Sequence, residues 1–165
     1  MSKKIYLDYQ ATTPVDSKIL KKMMPFFTEN FANPHSNNHH DGRLASEVIE
    51  EARENVANLI NAQPSEIIFT SGATESNNLA IKSIAKNYFE NKCQIISCKT
   101  EHKCVLESCH ELEKEGFKVT YLDVDQEGLI NIDELENILK KEKSLVSIMM
   151  ANNETGVIQD IKKIG

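Results

Sequence analysis

The chain has 165 residues, 40% of them hydrophobic and 27% charged, which is enough apolar material for a packed domain and too much for a disordered segment. Twenty-five acidic residues against 19 Lys and Arg give a formal charge of -6, which argues against a nucleic-acid partner. The opening Met1-Ser2-Lys3-Lys4-Ile5 leads straight into Tyr6-Leu7-Asp8-Tyr9 without a signal-like apolar run, and no later stretch suits a bilayer, so a cytoplasmic protein with no membrane partner is expected.

Pro14-Val15-Asp16-Ser17 predicts a helix start, with Ile19, Leu20, Met23 and Met24 at helical spacing and Pro25 ending or kinking the helix. A polar loop from Asn33 to Gly42 precedes a longer amphipathic helix in which Leu44, Val48, Ile49, Ala52, Val56, Leu59 and Ile60 share a face. From Glu66 onward short apolar runs alternate with helical stretches, the pattern of an α/β protein with a mainly parallel sheet. Strands are expected at Ile67 to Thr70, Gln94 to Cys98, Lys118 to Leu122 and Leu145 to Met149. Helices are expected at Thr74 to Phe89, His102 to Lys114 and Ile132 to Lys141, and a further one opens at Ile161.

The segment from Ile67 to Asn78 passes from an apolar strand through Ser71-Gly72-Ala73 into a helix. Such a junction suits an anion: Gly72 turns the backbone, Ala73 leaves the approach open, and the free amides near Thr74 and Glu75 lie at the positive end of the helix dipole. A plain helix cap by Ser71 or Thr74 explains the same residues. Neither Gly-x-x-x-x-Gly-Lys nor Gly-x-Gly-x-x-Gly is present, which removes the Walker and dinucleotide readings.

Ser71-Gly72-Ala73-Thr74-Glu75-Ser76-Asn77-Asn78 resembles the phosphate-binding signature of cysteine desulfurases, in the class V branch of fold-type I pyridoxal-phosphate (PLP) enzymes. Tyr6 to Pro14, Thr100-Glu101-His102-Lys103 and Asn152-Asn153-Glu154-Thr155-Gly156 agree with that family in order and spacing, so the similarity covers essentially the whole chain. The resemblance implies a partial three-layer αβα PLP-transferase large domain over residues 63–165, preceded by an N-terminal helical segment over residues 1–62.

It further implies that Ala73 and Thr74 hold the cofactor phosphate and that His102 stacks on the pyridine ring, where an imidazole also moves a proton near neutral pH. Asn153 would reach the cofactor's phenolic oxygen or a substrate carboxylate, and Ala11 to Pro14 would line the mouth of the pocket. Read without the family, His102 is a surface residue or a cap, and Asn152-Asn153 is an Asx turn ending a strand.

The implied activity is removal of sulfur from L-cysteine, giving alanine and an enzyme persulfide for an iron–sulfur scaffold or another sulfur acceptor, in a homodimeric enzyme. The Schiff-base lysine, the aspartate on the pyridine nitrogen and the catalytic loop cysteine all fall past Gly165 in the family's pattern. The chain is therefore expected to be truncated and inactive by itself. The strand Ile67 to Thr70 is expected to lack its neighbour and to expose apolar surface.

Two other patterns compete. Asp123 to Glu134 matches an EF-hand calcium loop at most ligand positions, which would make the chain a non-catalytic calcium-binding or interaction module. An EF-hand needs a helix entering its first Asp, however, and Phe117 to Leu122 reads as a strand. Cys93, Cys98, Cys104 and Cys109 crowd one stretch without a Cys-x-x-Cys knuckle, so reduced thiols are expected there rather than a zinc site with His102 and His110. His35, His39 and His40 read as solvated loop residues, and no metal is expected.

Overall fold

A computed structural model describes residues 5–88 and 93–165, which divide into two compact units, Met1–Phe69 and Thr70–Gly165. Phe89, the expected end of one helix, lies outside the described residues. Among the described residues no helix is long and apolar enough to cross a membrane.

In the first unit Asp16 caps α1 (Ser17–Met23) by accepting from the amides of Lys18 and Ile19 at 2.8 and 3.3 Å. Pro25 stands in the first turn of α2 (Pro25–Thr28), where its missing N–H costs no helical bond. Helix α3 (His40–Ile60) starts on His39, whose Nδ1 accepts from the Gly42 amide at 3.1 Å, and ends on Asn61 in the left-handed conformation. Gly42 allows a close crossing: a Cβ there would lie 2.1 Å from the Ser36 carbonyl oxygen.

Two expectations change in this unit. The apolar stripe of α3 is not a buried face. Leu59 and Ile60 are 85% and 61% exposed, and the residues buried on this helix are Gly42 and Ala57. Ile67 to Thr70 forms no strand, because none of the described residues pairs with it and an isolated strand has no ladder bonds to hold it. Arg53 holds its start instead, donating to the Ile67 carbonyl at 2.6 Å and lying 5.0 Å from the Phe69 ring centroid.

The second unit is built on a parallel sheet of order β2-β1-β3, with β1 Gln94–Cys98, β2 Val119–Leu122 and β3 Ser144–Val146. Every residue of β1 is buried, as a central parallel strand requires. Its side chains alternate between two cores. Ile95 joins Ile81 and Ala85 of α4 (Ala73–Asn87) and Val105, Cys109 and Leu112 of α5 (Lys103–Lys114), whereas Ile96 and Cys98 join Leu122, Ile130 and Leu135 of α6 (Ile132–Leu139). Burying Ile95 and Ile96 stabilises the unit by roughly 1.5–3 kcal/mol each. The mixed α/β class with a parallel sheet is thus present as expected.

Strand β3 stops sooner than its apolar run suggests. The Ser147 amide still donates to the Ile96 carbonyl at 2.9 Å, but the Met149 amide turns to the Glu101 carboxylate. The chain closes on α7 (Ile161–Ile164).

The Asp123–Glu134 loop follows a strand and folds back through an antiparallel bridge between Val124 and Ile130. Its acidic residues are exposed, and two of them bond within the protein: Asp125 accepts from the amides of Glu127 and Leu129, both at 2.9 Å, and Asp123 pairs with Lys99 at 2.6 Å. Gln159, buried, pins the loop from both ends of one amide: Nε2 donates to the Gly128 carbonyl at 2.8 Å and Oε1 accepts from Ile130 at 3.2 Å. Among the described residues no three His, Cys, Asp or Glu are placed to hold a metal ion. All four cysteines are free and buried.

Candidate functional site at the carboxyl edge of the sheet

The helix α4 starts from Gly72, at φ 158° and ψ -177°, a conformation essentially reserved for glycine, and no atom lies within 4 Å of where its Cβ would stand. No side chain caps α4, and among the described residues nothing accepts from the amides of Ala73, Thr74 or Glu75. The plain-cap explanation of Ser71 and Thr74 therefore does not hold. Ser71 gives both its hydroxyl and its amide to the Glu75 carboxylate, each at 2.7 Å, and these bonds hold that carboxyl below its ordinary range. Thr70 and Ser76 share a hydroxyl contact of 2.6 Å that closes the turn from the other side. Open amides at the positive end of a 15-residue helix, beside an unobstructed glycine, fit a phosphate group.

His102 is the N-cap of α5 and is exposed, so it is both the cap and the surface residue that its bare sequence position suggests. Its Nδ1 accepts from the Cys104 amide at 3.2 Å and lies 3.0 Å from the Cys104 sulfur. A nitrogen that accepts an N–H carries no proton, so the neutral ring is protonated on Nε2. Asn77, in the second turn of α4, donates to the same sulfur at 3.0 Å, which ties the helix of the anion turn to the histidine. Thr74, Asn78, His102 and Cys104 line one groove of about 350 Å³, together with Lys82 and Lys103.

Asn153 is exposed, follows β3, and does not line that groove. The Asx turn belongs to its neighbour: Asn152 Oδ1 accepts from the amides of Glu154 and Thr155, both at 2.9 Å, and Asn152 Nδ2 donates to the Thr100 carbonyl at 2.8 Å. Glu101, buried, accepts from the Met149 amide, and burial pushes its carboxyl above the ordinary value. Thr74 and His102 thus line one groove, Ala73 precedes Thr74 at the start of α4 without lining it, Asn153 lies on the loop after β3, and Ala11 to Pro14 lie within the first unit. Glu101, Cys104, Asn77 and Asn152 were not singled out as site residues by sequence. Glu101, Asn77 and Asn152 each stand inside a motif that matches the family, but nothing local to them marks a site role.

Residues 5–165 match the family described as Aminotransferase class-V. A probable mitochondrial cysteine desulfurase of Dictyostelium discoideum is 54% identical over 98% of this chain and 36% of its own length. The cysteine desulfurase IscS of Rickettsia massiliae is 54% identical over 98% of this chain and 39% of its own. Among solved structures, a NifS-like protein superposes with a TM-score of 0.88 at 44% identity, over 94% of this chain and 42% of that one. SspA in complex with cysteine gives the same TM-score and identity over 96% and 46%. The chain spans less than half the length of these relatives. The chain belongs to the class-V aminotransferase family and corresponds to the N-terminal part of its cysteine desulfurases.

Proposed function

We propose that residues 5–165 form the phosphate-binding and ring-face part of a PLP-dependent cysteine desulfurase, with the bond-breaking chemistry completed by residues outside this stretch. Enzymes of this family use PLP, and the desulfurases among them act on L-cysteine. The observation that carries the reading is the open start of α4: three amides without partners among the described residues, next to a glycine with free space around it.

PLP, when bound, supplies an electron-withdrawing ring that eases bond breaking at the substrate's α-carbon. Thr74 offers the phosphate an amide and a hydroxyl, and Ala73 offers a second amide without crowding it. His102 presents its ring face and keeps its exchangeable proton on Nε2, since Nδ1 is occupied by the Cys104 amide. Asn153 contributes a polar group for the cofactor's phenolic oxygen or the substrate carboxylate. In the complete protein, L-cysteine is the substrate, a homodimer the working form, and an iron–sulfur scaffold or another sulfur acceptor the partner. The cytoplasm is the proposed location.

The test is a titration of the chain with PLP and with pyridoxal, which lacks the phosphate. PLP should bind reversibly, be displaced by inorganic phosphate, and bind about tenfold more tightly than pyridoxal, the worth of one charge-assisted hydrogen bond. Equal binding of the two would remove the phosphate site. With cysteine added, the chain should release neither alanine nor sulfide.

A further inference from the structure

Among the described residues, Glu101 is the charged side chain in the buried set, 9% exposed at the carboxyl end of the sheet. A buried carboxylate is costly unless hydrogen bonds satisfy it, so its partners indicate why it is there. The partner that the structure shows is a backbone amide from another loop. One oxygen accepts from the Met149 amide, where β3 has left the sheet. Met149 has no ladder partner there, because the pairing of β3 with β1 ends at Val146 and the Ser147 amide makes the last bond. Glu101 takes the place of the missing strand.

The opposite loop answers in kind. Asn152 sends Nδ2 back to the Thr100 carbonyl at 2.8 Å while its Oδ1 shapes its own turn. Each loop therefore fixes the backbone of the other through one side chain. We propose that Glu101 is a positioning residue which, with Asn152, forms a reciprocal clasp that sets the loop bearing His102 against the loop bearing Asn153, presenting the two side chains as one rigid pair. The clasp exists on its hydrogen bonds alone, and its purpose rests on the proposed cofactor contacts of His102 and Asn153. A carboxylate suits the task because either of its oxygens accepts the Met149 amide in any orientation of the group. Glutamine keeps one acceptor oxygen, and alanine keeps none.

The experiment uses the 165-residue chain and reads amide exchange at Met149 and His102, the His102 ring signals, and PLP affinity in the same samples. Glu101→Ala should speed Met149 exchange about tenfold or more and move the ring signals of His102. Glu101→Gln should keep Met149 protected to within about threefold of wild type, because an acceptor oxygen remains. Asn152→Asp keeps the turn-forming oxygen and removes the donor, so it should shift the His102 ring while leaving Met149 protected. Unchanged Met149 exchange in Glu101→Ala overturns the clasp. If that variant does not fold, Asn152→Asp decides, and wild-type His102 ring positions in it overturn the proposal. A chain that binds no PLP yet shows Glu101-dependent protection of Met149 sinks the cofactor reading and supports the clasp.

Discussion

The sulfur of Cys104 lies 3.0 Å from His102 Nδ1 and 3.0 Å from Asn77 Nδ2, so a single buried thiol joins the helix that opens at the anion turn to the helix that His102 caps. Loss of the thiol should loosen the histidine. In Cys104→Ala, long-range proton–nitrogen spectra should show the His102 nitrogens moving toward the values of an unrestrained ring, whereas Cys104→Ser should hold them near wild type. A ring that does not respond to Cys104→Ala would show that the Cys104 amide holds it alone.

Thr74 is expected to matter for ligand and not for fold, because its hydroxyl has no partner among the described residues while its carbonyl is held by Asn78 at 2.9 Å. Thr74→Val should leave thermal unfolding unchanged and weaken PLP about tenfold. Equal losses for PLP and pyridoxal would place the effect elsewhere than the phosphate.

Replacing Gly42 with alanine forces a methyl group to 2.1 Å from the Ser36 carbonyl oxygen, and backbone, not a flexible side chain, must give way. The expected cost is about 2 kcal/mol or more, within the range of overpacking. Urea unfolding followed by helix signal measures it, and a midpoint equal to wild type would mean that the Asn33–His39 loop moves freely.

Cys109 is fully buried, and burial pushes its thiol up to about 11 from an ordinary value of 9.0. It should resist iodoacetamide at pH 8 for as long as the chain stays folded. The folded form keeps the proton through the window from 9.0 to about 11 while the unfolded form loses it, so stability falls as pH rises there, by at most about 1.4 kcal/mol per pH unit. Cys109→Ser should flatten that slope.

Glu101 runs against the usual acid behaviour. Burial raises its carboxyl, so the folded state binds the proton more tightly, and its contribution to stability is present below the ordinary value of 4.5 and lost as pH rises through the folded one. The difference in unfolding free energy between Glu101→Gln and wild type should therefore shift toward the glutamine variant between pH 4 and pH 7. A constant difference would mean that the Met149 amide bond offsets the burial.

How much of this was visible in the sequence depended on range. The Ile67–Asn78 junction was legible because strand, turn and helix follow one another locally, and His102 because it opens a helix in register with the other motifs. Ile67 to Thr70 showed the apolar run of a strand, but a strand exists only when a partner completes its ladder, and the neighbour that the family resemblance led us to expect missing is not found among the described residues. Two adjacent asparagines gave no way to tell which one turns the loop, and the structure assigns Asn152. Glu101 stood in the Thr100–Lys103 motif without a role, because the amide it accepts from, that of Met149, lies 48 positions away. The EF-hand reading, already set aside because a strand precedes Asp123, has a local explanation: the carboxylate of Asp125 accepts from amides two and four residues on, a use that motif spacing does not distinguish from metal ligation.

Gln159 gives that loop an asymmetry that its own sequence lacks. Its nitrogen faces the Gly128 carbonyl and its oxygen faces the Ile130 amide, so the side chain has one permitted orientation. A change of one atom, from NH2 to O, preserves the shape and reverses the polarity at one end, setting a negative oxygen against a carbonyl 2.8 Å away. Deamidation, or a single codon change to glutamate, would therefore open the loop without altering side-chain volume. The link between the Gly128 turn and the segment after Gly156 is exposed to chemical ageing at a position where every hydrophobic contact stays intact.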